Sequence, residues 1–317
     1  MPVFLSQYIR YSDEVSDAQK SGKPILAMES TIITHGLPYP QNIHILHELE
    51  DIARSAGVVP ATVLVLNGVM HIGLDRRELD ELQSKLIEGA SLQKISSREL
   101  AYALVSKLSG GTTVSTTMLS AAIAKIFVFA TGGIGGVHRY WADSGDISMD
   151  IKALASYPLI VVSAGCKAIL DIPATLEALE TSSVPVWGWH TESFPAFYSS
   201  KTEHHIPRID SALNITKAFL LMQDMSRESG LSSGSVLIAN PIPTQYEIPS
   251  IEIDPVIAKA ITEAQCLGIK GKNITPYLLA KISELTAGRS VEANLALVRN
   301  NVRLGCEIAI SLAHNTN

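Results

Sequence analysis

Short apolar runs alternate along this chain with longer stretches of helical period. In "QNIHILHELEDIARSAG" the residues Ile43, Leu46, Leu49 and Ala53 fall on one helical face, and Gly57 marks the end. "ATVLVLNGVMHIGL" carries an Asn67-Gly68 pair between two apolar runs, the spacing of a tight hairpin. Asp75 with Glu78, and Ser96 with Glu99, stand three residues apart ahead of helical patterns, as capping boxes do. Four strand-length runs follow: "KIFVFA" (125–130), "LIVVSA" (159–164), "VPVWGW" (184–189) and "SVLIAN" (235–240). Continuous Val/Ile/Leu strands separated by helices predict a mainly parallel sheet covered on both faces, made mixed by the hairpin. From about residue 254 the pattern is helical in three segments, broken near "GIKGKNITP" and "TAGRS". No repeat or long linker interrupts it. The expectation is an α/β fold, a three-layer α/β/α arrangement with a helical C-terminal part, in one domain over residues 1–317.

Composition narrows the partners. Hydrophobic residues make up 46% and charged ones 18%, enough for a large core. The net charge of −6, without a basic run, argues against nucleic acid. No stretch has the length of a membrane span, and "MPVFLSQYIRYSDEV" lacks a basic-then-apolar leader pattern. Cys166, Cys266 and Cys306 are scattered and form no C-x-x-C pair, which fits free thiols and a cytoplasmic setting.

In parallel sheets, ligands sit beyond the carboxyl ends of the strands, and the oddest polar residues fall there. Glu29 follows "PILAM", a glycine loop follows "IFVFA", Lys167 follows "LIVVSAG", and Asn240 follows "SVLIA". Lys167, near a helix start among small and apolar residues, would lose solvation; a neutral amine is a nucleophile toward an aldehyde-like carbon. Cys166 competes as nucleophile or is plain packing. The loop "ATGGIGGVHRYWADSGDISMDI" offers close backbone approach and N–H groups for an anion, but matches neither G-x-G-x-x-G nor a P-loop. His138, Arg139, Asp143, Asp146 and Asp150 lie within it, and such an acidic spacing could hold a hard divalent cation through one carboxylate and several waters. Glu29 is either a general acid or a cap of the next helix. His44 and His47 read as surface or packing residues, and "ANPIPTQYEIP" as a stiff loop that could wall a pocket. These residues alone also allow a sugar-phosphate aldolase-like enzyme using Lys167.

Taken together, the segments resemble the pseudouridine-5′-phosphate glycosidase family, also called pseudouridylate synthase or indigoidine-synthase-A-like. The matching blocks are "ESTIITHGLPYPQN", "PATVLVLNG", "GGTTVSTTM", "FATGGIGGVHR", "DISMD", "AGCKAILDIPATLE", "VPVWGW", "FPAFYS", "NPIP" and "NITPYLLAKISELTAGRSVEANLALVRNN". They run in family order from about residue 20 to 312.

The resemblance implies reversible cleavage of pseudouridine 5′-phosphate with water to uracil and ribose 5-phosphate. It casts Lys167 as Schiff-base nucleophile, Glu29 as proton donor and Asp146 as the ligand of one Mn2+. Lys94, Val114, Ser148, Met149 and Asp150 fall at substrate-contact positions, and His138 and Asn294 near the reacting centre. It also implies a homotrimer. Tyr140-Trp141 after "GGVHR", and Trp187 and Trp189, depart from the family pattern; lining a base pocket, they would change which base is accepted. The alternatives are a C-glycosynthase joining ribose 5-phosphate to another acceptor, and a non-catalytic sugar-phosphate-binding paralogue.

Overall fold

The computed structural model describes residues 3–269, 271 and 274–316. Its strands are β1 (Ile9–Tyr11), β2 (Ile25–Met28), β3 (Val59–Leu66), β4 (Val69–Ile72), β5 (Gln93–Ile95), β6 (Gly110–Thr112), β7 (Val128–Ala130), β8 (Ile160–Ser163), β9 (Val186–Trp189), β10 (Arg208–Ile209) and β11 (Val236–Ala239). They form one sheet in the order β1-β4-β3-β2-β7-β8-β11-β9-β10, with β6 joining β3 and β5 joining β6. Every pairing is parallel except β3–β4 and β3–β6. The mainly parallel, mixed sheet read from the sequence is present. Its antiparallel part includes the expected hairpin, whose Asn67 and Gly68 both take positive φ (48° and 77°), the geometry of a type I′ turn.

Burial explains which runs became central. β3, β7, β8 and β11 are buried at every position, as strands covered on both faces must be. β9 lies next to the short β10 at the sheet end, and of its residues only Gly188 is fully buried. Helix Arg289–Thr316 crosses β2, β7 and β8 and is flanked by helices Gln41–Ser55 and Ala212–Ser229. Helix Val114–Ile123 packs on β2 and on helix Met149–Ser156, which in turn packs on helix Ile172–Thr181. The predicted face of helix Gln41–Ser55 is the buried one, with Ile43, Leu46, Leu49 and Ala53 all in the core.

Two local expectations need correction. Asp75 caps helix Arg76–Ile87 by position only: it has no side-chain cap bond, and its carboxylate accepts from the Asp13 N–H at 3.2 and 3.3 Å. That amide is orphaned at the start of another helix and competes for the same oxygens. The box at Ser96 and Glu99 does form. Lys167 does not sit at a helix start; helix Ile172–Thr181 begins five residues later, capped by Asp171. The three C-terminal helices are Ser250–Cys266, Ile274–Leu285 and Arg289–Thr316, the first beginning slightly before the expected point. Residues 270, 272 and 273, in the predicted break, lie outside the described residues.

Candidate active site

β2, β7 and β8 are neighbours in the sheet, so the chain leaving each carboxyl end arrives at one place. There lies a cavity of about 290 Å3. Glu29, Lys94, Val114, His138, Asp146, Ser148, Met149, Asp150, Lys167 and Asn294 all line it. They come from distant segments of the chain, which only the fold brings together.

Lys167 is half-buried and its Nζ donates to the carbonyl of Gly133 at 2.7 Å. The segment carrying it is zipped to the glycine loop. Lys167 N donates to Ile134 O at 3.0 Å, Ile134 N to Gly165 O at 3.1 Å, and Asp171 N to Val137 O at 2.9 Å. Arg139 adds hydrogen bonds from its guanidinium to Ala168 O at 3.2 Å and Leu170 O at 3.4 Å. Cys166 is completely buried, and burial pushes its thiol up to about 12. A thiol of that pKa carries almost no thiolate at neutral pH, which disfavours Cys166 as a nucleophile.

Glu29, half-buried at the end of β2, is not a helix cap; the next long helix starts at Gln41, with Pro40 at its cap position. Its two carboxylate oxygens each accept from a hydroxyl, Oε1 from Thr131 and Oε2 from Thr31.

A second group of residues lines the cavity around Lys94. Val114 opens helix Val114–Ile123, and Ser148 is the N-cap of helix Met149–Ser156. Two helix N-termini thus line the cavity, and such ends favour negative charge. Lys94 on β5 makes no hydrogen bond or ion pair with any described residue. Burial, then the ammonium of Lys167, hold its pKa below the ordinary lysine value, opposed by Asp150, Glu29 and Asp146. A desolvated, unpartnered ammonium in a cavity lined by two helix N-termini could receive an anionic group such as phosphate.

Asp150 takes part differently from Ser148 and Met149, with which the sequence grouped it. It is 5% exposed, and its carboxylate is already engaged: Oδ1 accepts from Ser115 N at 2.9 Å and Oδ2 from Gly135 N at 2.8 Å. It ties the start of helix Val114–Ile123 to the glycine loop. Gly135 is glycine for space: a Cβ there would sit 2.7 Å from Asp150 Oδ2 and closer still to Ser148 Oγ.

Of the acids at 143, 146 and 150, Asp143 is exposed and outside the cavity lining, and Asp150 is occupied by backbone N–H groups. Asp146 remains, its Oδ2 4.0 Å from His138 Nε2. Among the described residues no three His, Cys, Asp or Glu side chains converge on a metal position. One carboxylate with water completing the shell suits a hard divalent cation that keeps its waters. Burial holds the His138 imidazole below its ordinary pKa; Asp146 opposes this, while Lys94 and Lys167 reinforce it.

Some candidates fall elsewhere. Tyr140 and Trp141 face solvent, 60% and 44% exposed, and neither they nor Trp187 and Trp189 line the cavity. β9, which carries the last two, is separated from β8 by β11. The segment 239–249 is a loop but does not wall the cavity. His44 and His47 are exposed, on a separate groove with Glu48, Asp51 and Arg303. Sequence reasoning missed Thr131, Ser115 and Arg98, which also line the cavity. Thr131 abuts the glycine loop, but nothing local shows its partner, 102 residues away.

A family model described as "Indigoidine synthase A like protein" matches residues 14–311. The pseudouridine-5′-phosphate glycosidase of Roseobacter denitrificans is 49% identical, covering 97% of this chain and 96% of its own. That of Clostridium botulinum is 46% identical, covering 98% of each. Among solved structures, an indigoidine synthase A-like protein from Thermotoga maritima superposes with a TM-score of 0.84 at 34% identity, covering 96% of both chains. The prealnumycin C-glycosynthase AlnA, in complex with ribulose 5-phosphate, superposes at 0.86 with 32% identity and 98% coverage of both.

Proposed function

Since the chain belongs to the indigoidine synthase A-like family, we propose that it is an enzyme cleaving pseudouridine 5′-phosphate reversibly to uracil and ribose 5-phosphate. The observation that carries this reading is the convergence of an amine and a carboxyl group, Lys167 and Glu29, in one cavity with an anion-binding end built from Lys94 and two helix N-termini.

The bond to be broken joins carbon to carbon, so protonating a glycosidic oxygen between two carboxylates does not apply. Lys167 as the neutral amine adds to C1′ while the C1′–O4′ bond breaks and Glu29 delivers a proton to O4′. The lysine nitrogen then bonds to a carbon that still carries the base. The Glu29 carboxylate takes a proton from that nitrogen, freeing its lone pair, and returns one to C5 of the base; the lone pair forms the C=N bond, and the C1′–C5 pair returns to the ring as neutral uracil departs. Water adds to the protonated imine, releasing ribose 5-phosphate and the free amine. The Gly133 carbonyl that accepts from Lys167 Nζ holds the amine in place before substrate arrives. His138, kept neutral, and Asn294 line the same cavity and would offer hydrogen-bonding groups to the base.

Asp146 would hold one Mn2+ largely through water, and the ion would supply positive charge beside the anionic substrate. A homotrimer is part of the reading, as is a reducing, cytoplasmic setting; the cysteines are unpaired. No helix among the described residues is long and apolar enough to cross a membrane.

The likeness to AlnA favours a second reading, a C-glycosynthase for another acceptor. Borohydride trapping with ribose 5-phosphate, followed by intact mass and peptide mapping, tests the shared chemistry. An adduct on Lys167 is expected; none, or one on another residue, removes the mechanism. Ribose 5-phosphate, uracil and Mn2+ should then yield pseudouridine 5′-phosphate, and an imine without this product selects the second reading.

A further inference from the structure

Two stretches of the sequence dock onto each other just outside the cavity lining. In "RNN" of helix Arg289–Thr316, Asn300 Nδ2 donates to Pro241 O at 3.1 Å, and Asn301 Oδ1 accepts from Asn240 Nδ2 at 2.9 Å. Asn301 is fully buried and Asn240 is 4% exposed. The Asn301 Nδ2 spends its hydrogens on the carbonyls of Thr131 at 2.7 Å and Gly132 at 3.3 Å. Carbonyl oxygens only accept, so the orientation of the Asn301 amide follows from its partners. Asn240 N in turn donates to Ser163 O at 2.8 Å, at the end of β8.

This buried pair therefore joins the ends of β7, β8 and β11 to the long helix. What hangs from those ends matters. The Thr131 hydroxyl donates to Glu29 Oε1, and the next carbonyl after the clamped Thr131-Gly132 peptide groups, that of Gly133, accepts from Lys167 Nζ. Gly132 O also accepts from Ala164 N at 2.9 Å, three residues before Lys167. A burial this complete would cost stability without hydrogen bonding, and an apolar pair would pack a core as well. The amides hold backbone carbonyls in place.

We propose that Asn301, backed by Asn240, is a positioning residue that sets the spacing of Glu29 and Lys167, and that it does so without contributing to substrate binding. The proposal rests on the reading of those two side chains as the reacting pair. The proposed anion end at Lys94, Ser115 and Ser148 lies outside the clamp, and Asp150 ties its Ser115 N–H to that of Gly135.

The test compares Asn301→Leu and Asn240→Ala with the unsubstituted protein, measuring kcat and KM on pseudouridine 5′-phosphate and the rate of borohydride trapping with ribose 5-phosphate. Misplacing a reacting group by about 1 Å costs on the order of 100-fold. For Asn301→Leu, kcat and trapping rate should fall together by roughly that factor, with KM changing less than about threefold. Asn240→Ala leaves both donors of Asn301 in place and should lose roughly tenfold in kcat by the same argument. Folded Asn301→Leu with undiminished kcat overturns the proposal, as does a rise in KM with kcat kept. Should Asn301→Leu not fold, Asn240→Ala decides: retained kcat overturns the proposal and a kcat-selective loss supports it. Inactivity of the unsubstituted protein on this substrate would instead sink the proposed function, so the two failures are distinct.

Discussion

Lys167 and Cys166 are chain neighbours placed in opposite surroundings. The cysteine points into the core, where a thiolate would be desolvated; the lysine reaches the cavity and finds a carbonyl. Lys167→Ala should lower turnover by on the order of 10^4-fold or more, because the imine would lose its amine. Cys166→Ala should keep kcat within about threefold and cost about 1 kcal/mol in stability for the small void. An inactive but folded Cys166→Ala would contradict the assignment. Lys94 gives a pH signature. With its pKa held below the ordinary value, its ammonium is complete at low pH and is lost as pH rises, earlier than for a solvated lysine. Phosphate attraction in the free enzyme therefore weakens on the alkaline side. The kcat/KM profile should fall there, and Lys94→Arg, which stays charged, should flatten that limb. Lys94→Gln should raise KM by roughly 10- to 100-fold with kcat little changed.

At the scale of elements, the proposed anion end rests on two helices and a loop tied together by one carboxylate. Asp150 accepts from one N–H of helix Val114–Ile123 and one of the glycine loop. Asp150→Asn keeps the shape but turns an NH2 toward a backbone donor. It should cost about 1–3 kcal/mol in stability, read as a lower Tm, and raise KM more than it lowers kcat. Gly135→Ala should act in the same direction, since its new methyl competes with Ser148 and Asp150 for space. A Gly135→Ala protein with wild-type KM would show that this contact does not shape the phosphate site.

For the whole molecule, the sheet brings β2, β7 and β8 side by side and the long helix braces their ends from one face. Ligand binding to such a framework is linked to its stability. Ribose 5-phosphate at about 100 times its Kd should stabilise the fold by about 2.7 kcal/mol, visible as a rise in Tm that Lys94→Gln largely removes. Chelation should reduce turnover and Mn2+ restore it. Asp146→Ala should abolish Mn2+ binding measured directly by spin resonance, and full binding by that variant would dismiss Asp146 as the ligand. Light scattering should return three times the 34.1 kDa chain mass.

The amino-acid order was enough for the local and periodic features: the buried face of helix Gln41–Ser55, the Asn67-Gly68 turn, the box at Ser96, and the apolar strands β8 and β11. Each rests on residues within a few positions of one another, where spacing is itself geometry. Lys167, Glu29 and the glycine loop were legible as polar residues following strands. Folding supplied what spacing cannot carry. Asp150 lines the cavity with its carboxylate tied to two backbone N–H groups, Asp75 gave its carboxylate to a distant amide, and the aromatic departures lay outside the cavity. Thr131, Asn240 and Asn301 acquired their meaning from partners 61 to 170 residues away. A hydrogen bond needs its donor and acceptor within about 3 Å, and for residues that far apart in sequence only the order of strands in the sheet brings them to that distance.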